Sequence, residues 1–142
     1  MAKEGVNQEI KFPQAKLDGS LDFSFSGVKT SVLYYVQKHC HDKDFSKSKV
    51  VYAFQKSVVD VLVEKSIKAC EQNQISTLLV GGGVAANSML RERLINEGSL
   101  NGINVHFPPM ILCLDNAAMI AGLGAVLLPK GKLTHNHKFA IR

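Results

Sequence analysis

The chain has 142 residues, 46% hydrophobic and 20% charged, which is the size and composition of one globular domain. It lacks both the roughly 20-residue apolar run of a membrane span and the apolar core of a signal peptide, so we predict a cytoplasmic protein without membrane contact. The net charge of +5 comes from scattered basic residues, which suit an RNA partner or simply a solvated surface.

The first elements alternate between irregular, extended and helical patterns. Residues 1–20 are predicted to be irregular, because glycine and proline interrupt a polar sequence. Residues 21–26 alternate apolar and polar side chains, which predicts a half-buried strand. A helix is then predicted from about Val28 to Lys38.

A long amphipathic helix is predicted next, capped by Ser46 or Ser48 and reaching about Glu71. Lys65 interrupts its apolar stripe, and charged residues occupy the opposite side. The predicted buried stripe consists of Val51, Phe54, Val58, Val61 and Leu62.

The second half of the chain alternates strands with helices. Strands are predicted at 77–80 and 103–107, and the helix between them at about 87–97, with Gly98 as its end. A last helix is predicted from near Asp115 to about Leu128. This order predicts an α/β fold with a mainly parallel sheet. The three cysteines form no C-x-x-C pair, which predicts reduced, mostly buried thiols.

The glycine turn Gly81-Gly82-Gly83 lies between a predicted strand and a predicted helix. Such a turn exposes unpaired N–H groups at a positively polarised helix start, which favours a nucleotide or anion. No Gly-Lys-Ser/Thr follows, and the acidic residue of a dinucleotide site is missing about 20 positions on. A turn that serves only packing therefore stays open, as does a simple N-cap role for Asn87.

Asp115 is the candidate metal ligand, because it follows the last strand at the sheet edge where ligands bind in open α/β folds. A helix N-cap is the alternative role for this residue. The histidines contain no H-x-x-x-H or H-E-x-x-H motif; they are His39, His41, His106, His135 and His137.

Three stretches in order resemble the universal tRNA threonylcarbamoyladenosine transferase family, formerly called glycoproteases. They are LDFSFSGVKT from Leu21, GGGVAANSML from Gly81 and LDNAAMIA from Leu114. The resemblance extends from about Phe12 to Leu128. It implies an actin-like ATPase fold of two α/β lobes, of which residues 21–142 would form the second, C-terminal lobe, the first lobe being absent.

The resemblance also implies an activity. Family members transfer threonylcarbamoyl from its adenylate to the N6 of the adenosine beside the tRNA anticodon. An iron or zinc ion is held by two histidines and by an aspartate that matches Asp115. The asparagine that matches Asn87 binds the adenine nucleotide, and Gly81, Gly82 and Gly83 would line that pocket. The implied partners are tRNA, the first lobe and the accessory proteins of the threonylcarbamoyl pathway.

The sequence departs from the family pattern in the features of the first lobe. The H-x-x-x-H pair and the phosphate-side glycine loop are missing, so one metal ligand of three remains. Gly81 and Leu114 replace the common Ala and Thr. We therefore expect a portion of the transferase that is inactive alone. The alternatives are a nucleotide-binding or self-associating module and, with no supporting motif, a metallopeptidase.

Overall fold

A computed structural model of the protein describes residues 10–14 and 20–128. Most of the predicted irregular N-terminal segment and the tail after Leu128 lie outside the described residues. The described helices and strands confirm the predicted α/β class. They are α1 (Ser26–His39), α2 (Lys47–Gln72), β1 (Thr77–Leu79), α3 (Ser88–Leu100), β2 (Asn104–His106) and α4 (Ala117–Leu127), with short 3-10 turns at Gly83–Ala86 and Met110–Leu112.

The strands β1 and β2 form a parallel pair in which Leu78 lies opposite Val105, and α3 is the crossover between them. This βαβ unit is the predicted one. The predicted role of Gly98 was wrong, because Gly98 lies buried inside α3 and the helix continues to Leu100. A Cβ on Gly98 would lie 2.5 Å from Val105 Cγ2, so the glycine lets α3 approach β2 closely. Gly102, with φ +67°, follows the actual helix end.

The long helix α2 begins after the Ser46 N-cap, as predicted, but it buries two flanks instead of one stripe. One flank packs against α3 and β2 through Val59, Val63 and Ile67, and the other packs against α1 and Phe12. The prediction was wrong for Val51 and Phe54, which are exposed, and right for Val61, which is fully buried; Val58 and Leu62 are partly buried. A helix between two layers needs a wider apolar surface than a single stripe provides.

The strand predicted at residues 21–26 was also wrong. Phe23 is a single bridge residue, and the chain enters α1 at Ser26. Lys65 of α2 is buried, donates a hydrogen bond from Nζ to the Asp22 carbonyl and lies 5.3 Å from the centre of the Phe23 ring. Contacts with α2 therefore help to hold this segment, and an alternating pattern does not distinguish a strand from an extended segment packed on a helix.

Large apolar side chains remain exposed around the sheet and α4. No residue of α4 is buried, although this helix is almost entirely apolar. Leu79 of β1 is 77% exposed and Ile111 is 83% exposed. The prediction of reduced, mostly buried thiols is confirmed, since all three cysteines are free, Cys70 and Cys113 are buried, and Cys40 is exposed. Within the described ranges, no helix is long and apolar enough to cross a membrane.

Candidate functional site

The glycine turn leaves β1 as an open loop. All three of its glycines are exposed, and a Cβ on Gly81 or Gly82 would meet no atom within 4 Å. Gly82 has φ +90° and ψ 171°, a conformation that L side chains rarely adopt. Its carbonyl accepts a hydrogen bond from Ala85 N at 3.0 Å, which starts the 3-10 turn before α3. The backbone at Gly81 and Gly82 is therefore open to close approach by a ligand.

Asn87 ends this turn and is the N-cap of α3. Its Oδ1 accepts hydrogen bonds from Leu90 N at 3.0 Å and from Gln55 Nε2 at 3.4 Å. The capping alternative is thus confirmed. Capping uses only the oxygen of the amide, and within the described part of the chain Nδ2 donates to no protein atom. The same side chain therefore caps the helix and still offers a donor to a ligand.

Asp115 lies between the second 3-10 turn and α4, with its side chain exposed. The capping alternative is wrong for Asp115, because the N-cap of α4 is Asn116, whose Oδ1 accepts from Met119 N at 3.1 Å. Asn116 Nδ2 also donates to the Leu114 carbonyl at 2.8 Å. Among the described residues, the Asp115 carboxylate has no hydrogen bond or ion pair, so it remains available to a ligand.

The glycine turn and the loop that leads to Asp115 are neighbours in the fold. A Cβ on Gly83 would lie 3.4 Å from Leu114 Cδ2. Arg91 of α3 donates hydrogen bonds to both segments, to the carbonyls of Ala85 and Pro108. Sequence reasoning counted Arg91 only among scattered cations. The available signal was its spacing, because a side chain four residues after a cap lies back over the preceding turn.

The residues of the described part do not form a metal centre by themselves. They include no group of three or more His, Cys, Asp or Glu that could hold an ion. A single carboxylate does not bind iron or zinc tightly, because such sites take three or four protein ligands. His39 is engaged with Asp42, at 2.6 Å from Nδ1 to Oδ2. His135 and His137 lie outside the described residues.

A separate charged cleft of about 690 Å³ lies along α2 and α3, away from the glycine turn. Partial burial raises the pKa of the Asp60 carboxyl, but hydrogen bonds from Lys56 and Arg93 outweigh burial and hold that pKa below its ordinary value. Both partners lie 2.8 Å from the carboxylate oxygens. Because Asp60 lies on α2 and Arg93 lies on α3, the Arg93–Asp60 ion pair links the two helices.

Comparison with known proteins identifies relatives over nearly the whole chain. The family model for TsaD, tRNA N6-adenosine threonylcarbamoyltransferase, matches residues 1–122. Proteins of that name from Clostridium perfringens (strain SM101 / Type A) and Clostridium botulinum (strain 657 / Type Ba4) are each 48% identical over 136 residues. Each match covers 94% of this chain but only 40% of the relative's length.

Proposed function

The chain belongs to the tRNA N6-adenosine threonylcarbamoyltransferase family, and on that premise we propose that it forms one wall of the transferase active site. The family has the actin-like ATPase fold, so the predicted fold class is confirmed together with the parallel α/β unit described above. The reaction proposed for the whole enzyme moves threonylcarbamoyl from its adenylate to N6 of the adenosine beside the anticodon of tRNA. Such an enzyme works where tRNA is, in the cytoplasm.

The arrangement of Asn87 supports the nucleotide half of this proposal most strongly. Its amide oxygen is fixed by the α3 cap, so its Nδ2 has a defined direction beside the open backbone of the glycine turn. A preorganised donor next to exposed N–H groups suits the adenylate, because a polar ligand binds more tightly to donors that lose little conformational entropy on binding. We assign Asn87 and the glycines Gly81, Gly82 and Gly83 to adenylate binding.

For the metal, we propose that this chain contributes the carboxylate of Asp115 and no other ligand from its described residues. Bound iron or zinc would supply Lewis-acid chemistry to the acyl group. The remaining ligands would come from the other lobe of the enzyme, across the cleft from Asp115. The uncovered apolar side chains near this site, including Leu114, are consistent with a second wall.

The partners follow from the same proposal. The substrate tRNA would meet a chain of net charge +5, for which long-range attraction to phosphates is favourable. The other lobe would cover the apolar face, and the accessory proteins of the threonylcarbamoyl pathway would supply the adenylate. Since the chain spans 40% of the length of its relatives, we expect no turnover by these residues alone.

The experiment joins this chain to the part of a relative's sequence that the chain does not match. A graft replaces the matching 136 residues of the Clostridium perfringens relative with those of this chain. We expect the graft to form threonylcarbamoyladenosine in tRNA, detected by mass spectrometry after nuclease digestion. The 142-residue chain with tRNA, threonylcarbamoyl adenylate and iron should form none. Turnover by the chain alone, or a folded but inactive graft, would contradict the proposal.

A second candidate, a self-associating module, is favoured by one specific observation. No residue of α4 is buried, and an apolar helix exposed to water favours self-association. Light scattering of the full chain and the activity of the graft, taken together, separate the two candidates. An inactive graft together with a stable, well-defined oligomer of the chain would favour the module over the transferase wall.

A further inference from the structure

We propose that Arg91 is a positioning residue that holds the Asn87 turn and the Asp115 loop at a fixed separation. This inference rests on the proposed function for its catalytic meaning, although the contacts that carry it are independent of that function. Arg91 lies in the first turns of α3, and its own N–H donates to the Asn87 carbonyl at 3.1 Å. Its backbone is therefore tied to the residue that would bind the nucleotide.

The guanidinium of Arg91 joins two segments. Its Nε donates to the Ala85 carbonyl at 2.6 Å, inside the turn before Asn87. Its Nη2 donates to the Pro108 carbonyl at 2.6 Å and lies 3.1 Å from Cys113 Sγ, at the two ends of the loop before Asp115. Its central carbon lies 4.7 Å from the centre of the Phe107 ring. Four contacts on one rigid plane leave this group little freedom.

Arg91 supplies the polar connection between these segments. In the described part of the chain, no other hydrogen bond joins residues 81–87 to residues 108–116. Leu114 also lies beside the turn, since a Cβ on Gly83 would be 3.4 Å from Leu114 Cδ2, but van der Waals contact constrains direction weakly. Both carbonyls that Arg91 satisfies would lose this partner on its removal, and an unpaired carbonyl favours an opened loop that admits water.

Lysine cannot replace this arrangement. The guanidinium is planar and presents donors from two edges while it stacks on Phe107, whereas an ammonium is a point charge at the end of a flexible stem. We therefore expect Arg91→Lys to keep one of the two segments bound and to release the other. Arg91→Met removes both connections and preserves much of the apolar stem.

The three cysteines make a direct test of the full chain. Cys113 is buried in the loop that Arg91 holds, Cys70 is buried in the core between α2 and α3, and Cys40 is exposed. Iodoacetamide labelling is resolved for each cysteine by mass spectrometry. In one sample, Cys113 reports opening of the loop, Cys70 reports opening of the core, and Cys40 reports the reactivity of an exposed thiol. Hydrogen exchange of residues 83–87 reports the other segment.

We expect Arg91→Met to accelerate labelling of Cys113 about tenfold, since a charge-assisted hydrogen bond is lost. Exchange at residues 83–87 should accelerate with it, while labelling of Cys70 stays unchanged. The matched control is Arg93→Met, which removes a neighbouring guanidinium bound to Asp60 and should leave Cys113 slow. Arg91→Lys should accelerate either the labelling of Cys113 or the exchange at residues 83–87, but not both. This second variant still tests the proposal if Arg91→Met does not fold.

Equal acceleration of Cys113 and Cys70 would show a general stabilising role and overturn the proposal, as would an unchanged Cys113 in both Arg91 variants. Full restoration by Arg91→Lys at both segments would also overturn it, because charge alone would then suffice. None of these outcomes depends on turnover. The activity of the graft described above tests the proposed function separately, so the two failures are distinguishable.

Discussion

Asn87 uses the oxygen of its side-chain amide to cap α3, and we propose that the nitrogen of the same amide binds the nucleotide. Its Oδ1 accepts the hydrogen bond from Leu90 N, while among the described residues its Nδ2 donates to no protein atom. Aspartate can reproduce the acceptor but not the donor. Asn87→Asp should therefore leave the free energy of unfolding within about 0.5 kcal/mol, and Asn87→Ala should lower it by about 1 kcal/mol. Urea unfolding of the full chain measures both, and an equal loss in the two variants would contradict the capping assignment.

Gly82 is the glycine of the turn that depends on its backbone conformation. At φ +90° an alanine is strained even though its Cβ would meet open space. Gly82→Ala should lower the free energy of unfolding by about 1–2 kcal/mol. Gly81→Ala is the matched control, since it also faces open space without a positive φ, and it should change stability by less than about 0.5 kcal/mol. Equal effects would show that the strain at Gly82 is absent.

The role of an individual side chain was predictable from sequence only where its residue type and its position at a helix start indicate the same role. The cap at Asn87 was foreseen as an alternative, because asparagine before an apolar helical pattern is a common start signal. The cap at Asn116 was missed in favour of Asp115, because both residue types cap well and the pattern does not set the register to one residue. The contacts of Arg91 depend on segments distant in sequence, which a local pattern does not contain.

The packing of α3 on β2 depends on the absence of a side chain at Gly98. An added Cβ would lie 2.5 Å from Val105 Cγ2 and 2.9 Å from the Ile103 carbonyl oxygen, which cannot move freely. Gly98→Ala should lower the free energy of unfolding by about 1–3 kcal/mol. Ser99→Ala, at the exposed next position, should be nearly neutral. A stabilised Gly98→Ala variant, as helix propensity alone would give, would show that α3 does not approach β2 so closely.

The stabilisation from the ion pairs of Asp60 with Lys56 and Arg93 should depend on pH. Because Lys56 and Arg93 hold the pKa of Asp60 below its ordinary value, the stabilisation is present above the unfolded pKa of about 3.9 and lost as pH falls through the lower folded pKa. Asp60→Asn should cost about 1 kcal/mol or less at pH 7. The difference from wild type should vanish in acid. Glu97→Gln, in the same cleft, is the control, and a difference that persists at low pH would contradict the ion-pair explanation.

Elements of the βαβ unit were predictable, whereas those at its margins were not. Both strands and α3 have strong local patterns that agree with their packing, so their positions were close to those observed. The boundary at Gly98 was wrong because glycine serves packing as well as termination. The buried flanks of α2 could not be assigned from one stripe, since they depend on which layers lie on either side.

The exposed apolar surface of α4 should control self-association of the protein. We expect the full chain to associate with rising concentration in light scattering, because α4 buries none of its side chains. Ile120→Glu on α4 should reduce this association. Leu33→Glu, at an equally apolar exposed position on α1, is the control and should not. A concentration-independent monomer would contradict an interaction role for α4.

The transferase graft carrying Asn87→Asp is the decisive comparison for the proposed active-site wall. The aspartate keeps the α3 cap, so the graft should unfold at the same temperature as its parent. Its rate of threonylcarbamoyladenosine formation should fall at least about tenfold, through loss of one donor to the adenylate. An Asn87→Asp graft with the same unfolding temperature and an undiminished rate would contradict the assignment of this turn to the nucleotide.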